Sequence, residues 1–128
     1  MKTSFLVTIF GAGLLCGCVL PPTEPTGLMD VAERPAEKAL LAGMRAYDDA
    51  QYAQSEQSLK QALQSGLGSS RDRAAAHKHL AFIYCTSERI PACETEFRAA
   101  RSAYPAFALS KSEAGHPQWG PVWRKVSP

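Results

Sequence analysis

Five pairs of residues, each pair 38 positions apart, restrict this chain more than any other feature: Gly43 with Ala81, Tyr52 with Ile90, Ser55 with Cys93, Leu59 with Phe97, and Ala62 with Ala100. Small residues match small residues, and large apolar residues match large apolar ones. Between Pro35 and Pro105 the apolar residues also recur every three to four positions, the period of an amphipathic helix. Two turn signals divide this stretch into four helices, roughly Pro35–Asp49, Tyr52–Ser65, Ser70–Thr86 and Pro91–Tyr104. Gly66-Leu67-Gly68-Ser69 separates the two pairs, and Ser69 or Ser70 can cap the third helix. Pro91 suits the first turn of the fourth helix, and Pro105 stops it. The expected fold class is all-α.

The pairing has a mechanical reading. A small residue at 43 or 81 on the first helix of a pair must meet a small residue at 55 or 93 on the second, because only small side chains permit a close crossing. Leu59 and Phe97 then fill the wider space one turn further on. Leu80-Ala81, Tyr84, Cys93, Phe97, Ala100 and Pro105 resemble the tetratricopeptide repeat, whose period is about 34 residues. The loop around Gly66 to Asp72 accommodates the longer spacing seen here. The first unit keeps Gly43, Tyr52, Ser55, Leu59 and Ala62 but lacks the terminal Pro. The resemblance implies two TPR-like helical hairpins over residues 35–128, closed by a short C-terminal capping helix.

The cap is expected from the tail. Ser110 and Glu113 form a capping-box pattern and Gly115 a helix stop. Trp119, Val122, Trp123 and Val126 then recur at helical spacing, with Pro121 near the start. Both tryptophans of the chain lie here, and they are expected to cover the open end of the second unit.

The other end of the chain points to a membrane. Lys2 precedes an apolar run from Phe5 to Leu15, which has the length of a secretory signal and is too short to span a bilayer. Leu15-Cys16-Gly17-Cys18 resembles the bacterial lipobox, which implies a signal peptide over residues 1–18 and lipidation at Cys18. Residues 19–34, rich in Pro, read as an extended tether. Val19, where an Asp would signal inner-membrane retention, favours the outer membrane with the domain facing the periplasm. Some 110 residues remain after such a signal, enough for one modest core. Fourteen basic residues nearly balance twelve acidic ones with no basic stripe, so nucleic acid is not an expected partner.

Cys85 and Cys93 are the remaining thiols, and an oxidising compartment favours their pairing. Ideal packing would set Cys85 about one turn out of register with Cys93, but Pro91 is expected to delay the fourth helix and bring them together. His77 and His79 point to different faces of a helix, and no H-x-x-x-H, C-x-x-C or paired-carboxylate pattern occurs. No metal, no cofactor and no catalysis are expected.

The stretches His79-Leu80-Ala81-Phe82-Ile83-Tyr84-Cys85, Glu96-Phe97-Arg98 and Glu113-Ala114-Gly115-His116-Pro117-Gln118-Trp119-Gly120-Pro121-Val122 resemble small TPR-like lipoproteins associated with bacterial type VI secretion systems. That resemblance covers about half of the mature chain. It implies a lipid-anchored interaction subunit whose partner is a protein component of an envelope secretion machine. Leu40, Met44, Tyr47, Lys78 and Phe82 occupy the ligand-facing positions of the first helices and are the expected partner-binding residues. A pilotin-like assembly lipoprotein and a lipid or peptidoglycan binder are the alternatives.

Overall fold

A computed structural model describes residues 27–127. The signal region and Cys18 lie outside the described residues. The described residues form helices and connecting turns with no strand: α1 (Leu28–Ala32), α2 (Pro35–Asp48), α3 (Tyr52–Gln64), α4 (Ser70–Thr86), α5 (Ile90–Ala103), α6 (Lys111–Ala114) and α7 (Gly120–Val126). Helix α2 packs chiefly on α3, and α4 on α5. The two hairpins meet through α3 and α4, and α7 closes the far side of α5. The helices therefore stack largely in chain order around one core.

Small residues set the spacing of each hairpin. Ser55 has no exposed surface, and its hydroxyl donates to the Gly43 carbonyl at 2.7 Å across the α2–α3 crossing. A Cβ at Gly43 would lie 2.7 Å from Leu59 Cγ and 3.2 Å from the Leu59 backbone nitrogen. The counterparts Ala81, Cys93, Leu59, Phe97, Ala62 and Ala100 are likewise fully buried. Tyr52 and Ile90, which form the remaining pair, are both partly exposed.

The backbone repeats as well. After α2, Ala50 takes a left-handed conformation (φ 57°), and its amide donates to Tyr47 O while Gln51 N donates to Ala46 O. After α4, Glu88 does the same (φ 62°), with Glu88 N donating to Cys85 O and Arg89 N to Tyr84 O. Every atom in the second turn sits 38 residues after its counterpart in the first. Such six-to-one and reversed bonds satisfy the last carbonyls of a helix.

Two expectations need correction. Pro91 does not delay the fourth helix: α5 begins at Ile90, in the same place as α3 begins at Tyr52. Cys85 and Cys93 nevertheless meet at disulfide distance, with Cα atoms 5.3 Å apart. A helical carbonyl points toward the C-terminal end of its helix, so a residue that reaches the Gly43 carbonyl already faces the gap below it. Cys93, the counterpart of Ser55, faces the gap between Ala81 and Cys85 in the same way. The tether also ends earlier than residue 34. Leu28–Ala32 is helical, with the Gly27 amide donating to the Asp30 carboxylate at 3.1 Å, and α1 lies against α2.

A polar clasp joins the hairpins. Glu56 on α3 accepts from Arg89 Nη2 at 2.8 Å, Lys60 Nζ at 2.6 Å and the Tyr84 hydroxyl at 3.1 Å. Arg89 also lies over the Tyr84 ring at 4.2 Å. The Arg89 hydrogen bond, with those of Lys60 and Tyr84, draws the Glu56 carboxyl from 4.5 down to about 2 despite partial burial.

Two expected outcomes follow from this packing. Gly43→Ala should destabilise by up to about 2 kcal/mol, since overpacking of about 1–3 kcal/mol is offset by a helix-propensity gain of about 1 kcal/mol. Urea unfolding checks it, and an increased midpoint would contradict the crossing. Glu56 titrates lower in the folded than in the unfolded chain, so its contribution is complete above about pH 5 and fades as pH falls from 4.5 toward 2. Because Arg89 and Lys60 are about half exposed, that contribution is about 1–2 kcal/mol after screening. Glu56→Gln should be less stable than wild type at pH 7, with the difference shrinking below pH 4.5 and gone only below about pH 2.

Candidate functional site

Of the five residues expected to contact a partner, Leu40, Met44 and Tyr47 project from α2, while Lys78 and Phe82 project from α4. The structure divides them between two environments.

On the α4 side the face is covered by the chain itself. Phe82 is buried and stacks on Trp119, with ring centroids 4.2 Å apart and planes 21° apart. His116 lies on the other face of Trp119 at 3.5 Å. The Trp119 indole donates to the Glu113 carbonyl at 2.8 Å, which fixes the ring over α4. Lys78 pairs with Glu113 at 2.7 Å and sits 5.6 Å from the Phe82 ring centroid. Ser110 and Glu113 exchange capping bonds, so α6 is a rigid single turn. Gly120 runs against this turn, where a Cβ would meet the Ala114 carbonyl oxygen at 2.5 Å. Trp123 is buried too, edge-on to Phe97 at 5.3 Å and to Phe107 at 5.6 Å. Arg101 donates to the Val126 carbonyl at 2.7 Å, and Lys125 pairs with Glu94, which ties α7 to α5. Both tryptophans are thus core. Phe82 and Lys78, expected as binding residues, both contact the cap.

Tyr47 joins the same aromatic cluster, edge-on to His79 at 5.2 Å. His79 donates from Nδ1 to the Ala75 carbonyl at 2.8 Å, and burial pushes its pKa below the ordinary histidine value. His77 bonds Glu96 at 2.6 Å across α4 and α5. Each histidine of α4 therefore serves a structural contact. Among the described residues, no group of three His, Cys, Asp or Glu side chains is placed to hold a metal ion. No helix among them is long and apolar enough to cross a membrane.

On the α2 side the face is open. Leu28, Val31, Leu40, Leu41, Met44 and Ala75 line a groove of about 240 Å³ between α1, α2 and the start of α4. Leu28 is 83 % exposed and Met29 on the same helix 72 % exposed. Leu40 forms the buried floor and Met44 a half-buried wall. The charged residues that line it are Glu37 and Asp72, both acidic. Glu37 is almost wholly buried and accepts a long hydrogen bond from Gly68 N at 3.4 Å.

Glu37 and α1 escaped the sequence reading. A signal for Glu37 was present: positions 37, 40 and 44 lie on one helical face, so an acid interrupts the apolar stripe. Only the short run Leu28-Met29-Asp30-Val31 hinted at α1, and the prolines before it masked that pattern.

Gly120→Ala should lift α7 off the Ala114 carbonyl and cost about 1–3 kcal/mol. Tryptophan emission should shift to the red as Trp119 leaves Phe82, and an unaltered spectrum and midpoint would contradict this contact. Comparison of the chain with protein-family models, with curated proteins and with solved structures gave no match.

Proposed function

We propose that this chain is a lipid-anchored protein-interaction subunit, an accessory of an envelope secretion machine and most specifically of a type VI secretion system. In this reading the paired hairpins are tetratricopeptide-like, Cys18 carries the lipid at the outer membrane, and the domain faces the periplasm with Cys85 and Cys93 oxidised. The open groove along α2 carries the proposal. A folded chain that closes the α4 half of its first-helix face with Trp119 leaves Leu28 and Leu41 exposed and Met44 half-exposed on the other. An open groove lined mainly by aliphatic side chains suits an interaction site. The matching turns and crossings support the repeat reading, since a stack of like units presents a shaped helical face. Secretion-machine identity rests on the resemblance of the 79–85, 96–98 and 113–122 stretches alone.

Anchoring would serve such a protein by raising its effective concentration beside a membrane-bound partner. Cys18→Ser should yield a folded chain released from the membrane, with secretion in a complemented deletion strain reduced at native expression. Overexpression should restore it in part, because concentration then replaces tethering. Normal secretion by the deletion strain, with no envelope component co-purifying with the wild type, would overturn the proposal.

A further inference from the structure

Glu37 occupies an unusual position. It belongs to the first turn of α2, where the positive end of a helix favours a carboxylate, and that accounts for its tolerance in the free protein. Yet it is only 7 % exposed, and its hydrogen bond from Gly68 is at the long limit. No cation pairs with it among the described residues, whereas the half-buried Glu56, Glu94, Glu96 and Glu113 each have a basic or imidazole partner; of the half-buried acids described, Asp72 alone shares its lack of one. Of the nearby bases, Arg34 makes no ion pair among the described residues and lines the neighbouring cavity beside Gly68 rather than the groove, while two others are engaged elsewhere. Lys38 pairs with Glu33 at 3.7 Å, and Arg73 donates to the Leu67 carbonyl at 2.8 Å and the Gly68 carbonyl at 3.3 Å. Removing a carboxylate from water without a countercharge is costly, and a bound cation removes most of that cost.

The space beside it has a matching character. Aliphatic side chains from α1 and α2 form the walls, and Asp72 adds a second negative charge at the start of α4. About 240 Å³ is below the range of roughly 300–1,000 Å³ typical of small-molecule pockets. It holds one or two side chains rather than an acyl chain. The groove is open along its length, which suits a segment of polypeptide laid across it.

We infer that this groove takes a basic, apolar segment of a partner protein: one or two aliphatic side chains seat between α1 and α2, and a Lys or Arg within about one helical turn of them meets the Glu37 carboxylate. The inference rests on the binding-subunit reading and names the chemistry of its partner. It also excludes an acidic ligand, because Glu37 and Asp72 would repel one.

The test uses the full-length protein, extracted from membranes in detergent and immobilised, with a phage-displayed library of random peptides as the probe. Enriched peptides should carry paired Leu, Ile, Met or Phe with a Lys or Arg within about four residues. Synthetic versions should bind at least tenfold more weakly to Glu37→Gln, whose thermal midpoint should equal or exceed that of the wild type. Leu41→Lys, at a partly exposed wall position, should weaken binding to a similar degree without unfolding the domain. Enrichment of acidic or uncharged peptides, unchanged binding to Glu37→Gln, or no enrichment at all would overturn the inference. So would saturation of the groove by a short-chain phosphatidylethanolamine in place of any peptide. If envelope components still co-purify with Leu41→Lys as they do with wild type, the groove assignment fails while the binding-subunit reading stands.

Discussion

Where α2 crosses α3, the Ser55 hydroxyl donates to the Gly43 carbonyl in the absence of water, and the Leu59 side chain fills the place a Cβ at 43 would need. The separation of the two helices follows from that contact, and so do the turn that joins them and the depth at which Leu59 and Ala62 sit. The α4–α5 hairpin solves the same steric problem with Ala81 and Cys93, and the thiol at 93 extends to Cys85 where the hydroxyl at 55 extends to a carbonyl. One position thus fastens each hairpin, by a hydrogen bond in the first and through a second sulfur in the other.

The two ends of the stack are treated differently. At the C-terminal end, buried aromatic area from Phe82, Phe97, Trp119 and Trp123 supplies a dense seal, fixed by the indole bond to Glu113 and the close approach of Gly120 to Ala114. At the N-terminal end, a five-residue helix rests on α2 and leaves Leu28 and Met29 facing solvent. On the proposed reading, the asymmetry points a partner to the α2 end. Of the face expected from the sequence, Phe82 and Lys78 lie against the seal, and Leu40 and Met44 line the open groove.

Helix positions were legible because their signals are local. Pro91, Pro105, Ser69 and the Ser110–Glu113 box act within one turn of themselves, and the periodicity between them is strong. The crossings were legible because the same answer is written twice, 38 residues apart. What stayed hidden depends on partners distant in sequence. Nothing around Glu56 announces that Arg89 and Tyr84 will converge on it, and nothing in Phe82 says that Trp119 will lie against it. The proline argument for Cys85 and Cys93 reached disulfide distance by the wrong route, since the relevant geometry is the direction of a carbonyl one turn away.

Stacking in chain order has a kinetic side. Each helix finds most of its neighbours within the next helix of the sequence, so the topology is one of low contact order, and such chains fold quickly because little loop entropy is lost before contacts form. The α4–α5 hairpin can assemble from a single contiguous segment, and its two cysteines, eight residues apart, find one another within it. Nucleation at that hairpin would leave the seal and the first hairpin to add from either side. If folding starts there, the chain takes its shape from the middle outward, with α1 and its groove the last surface to form.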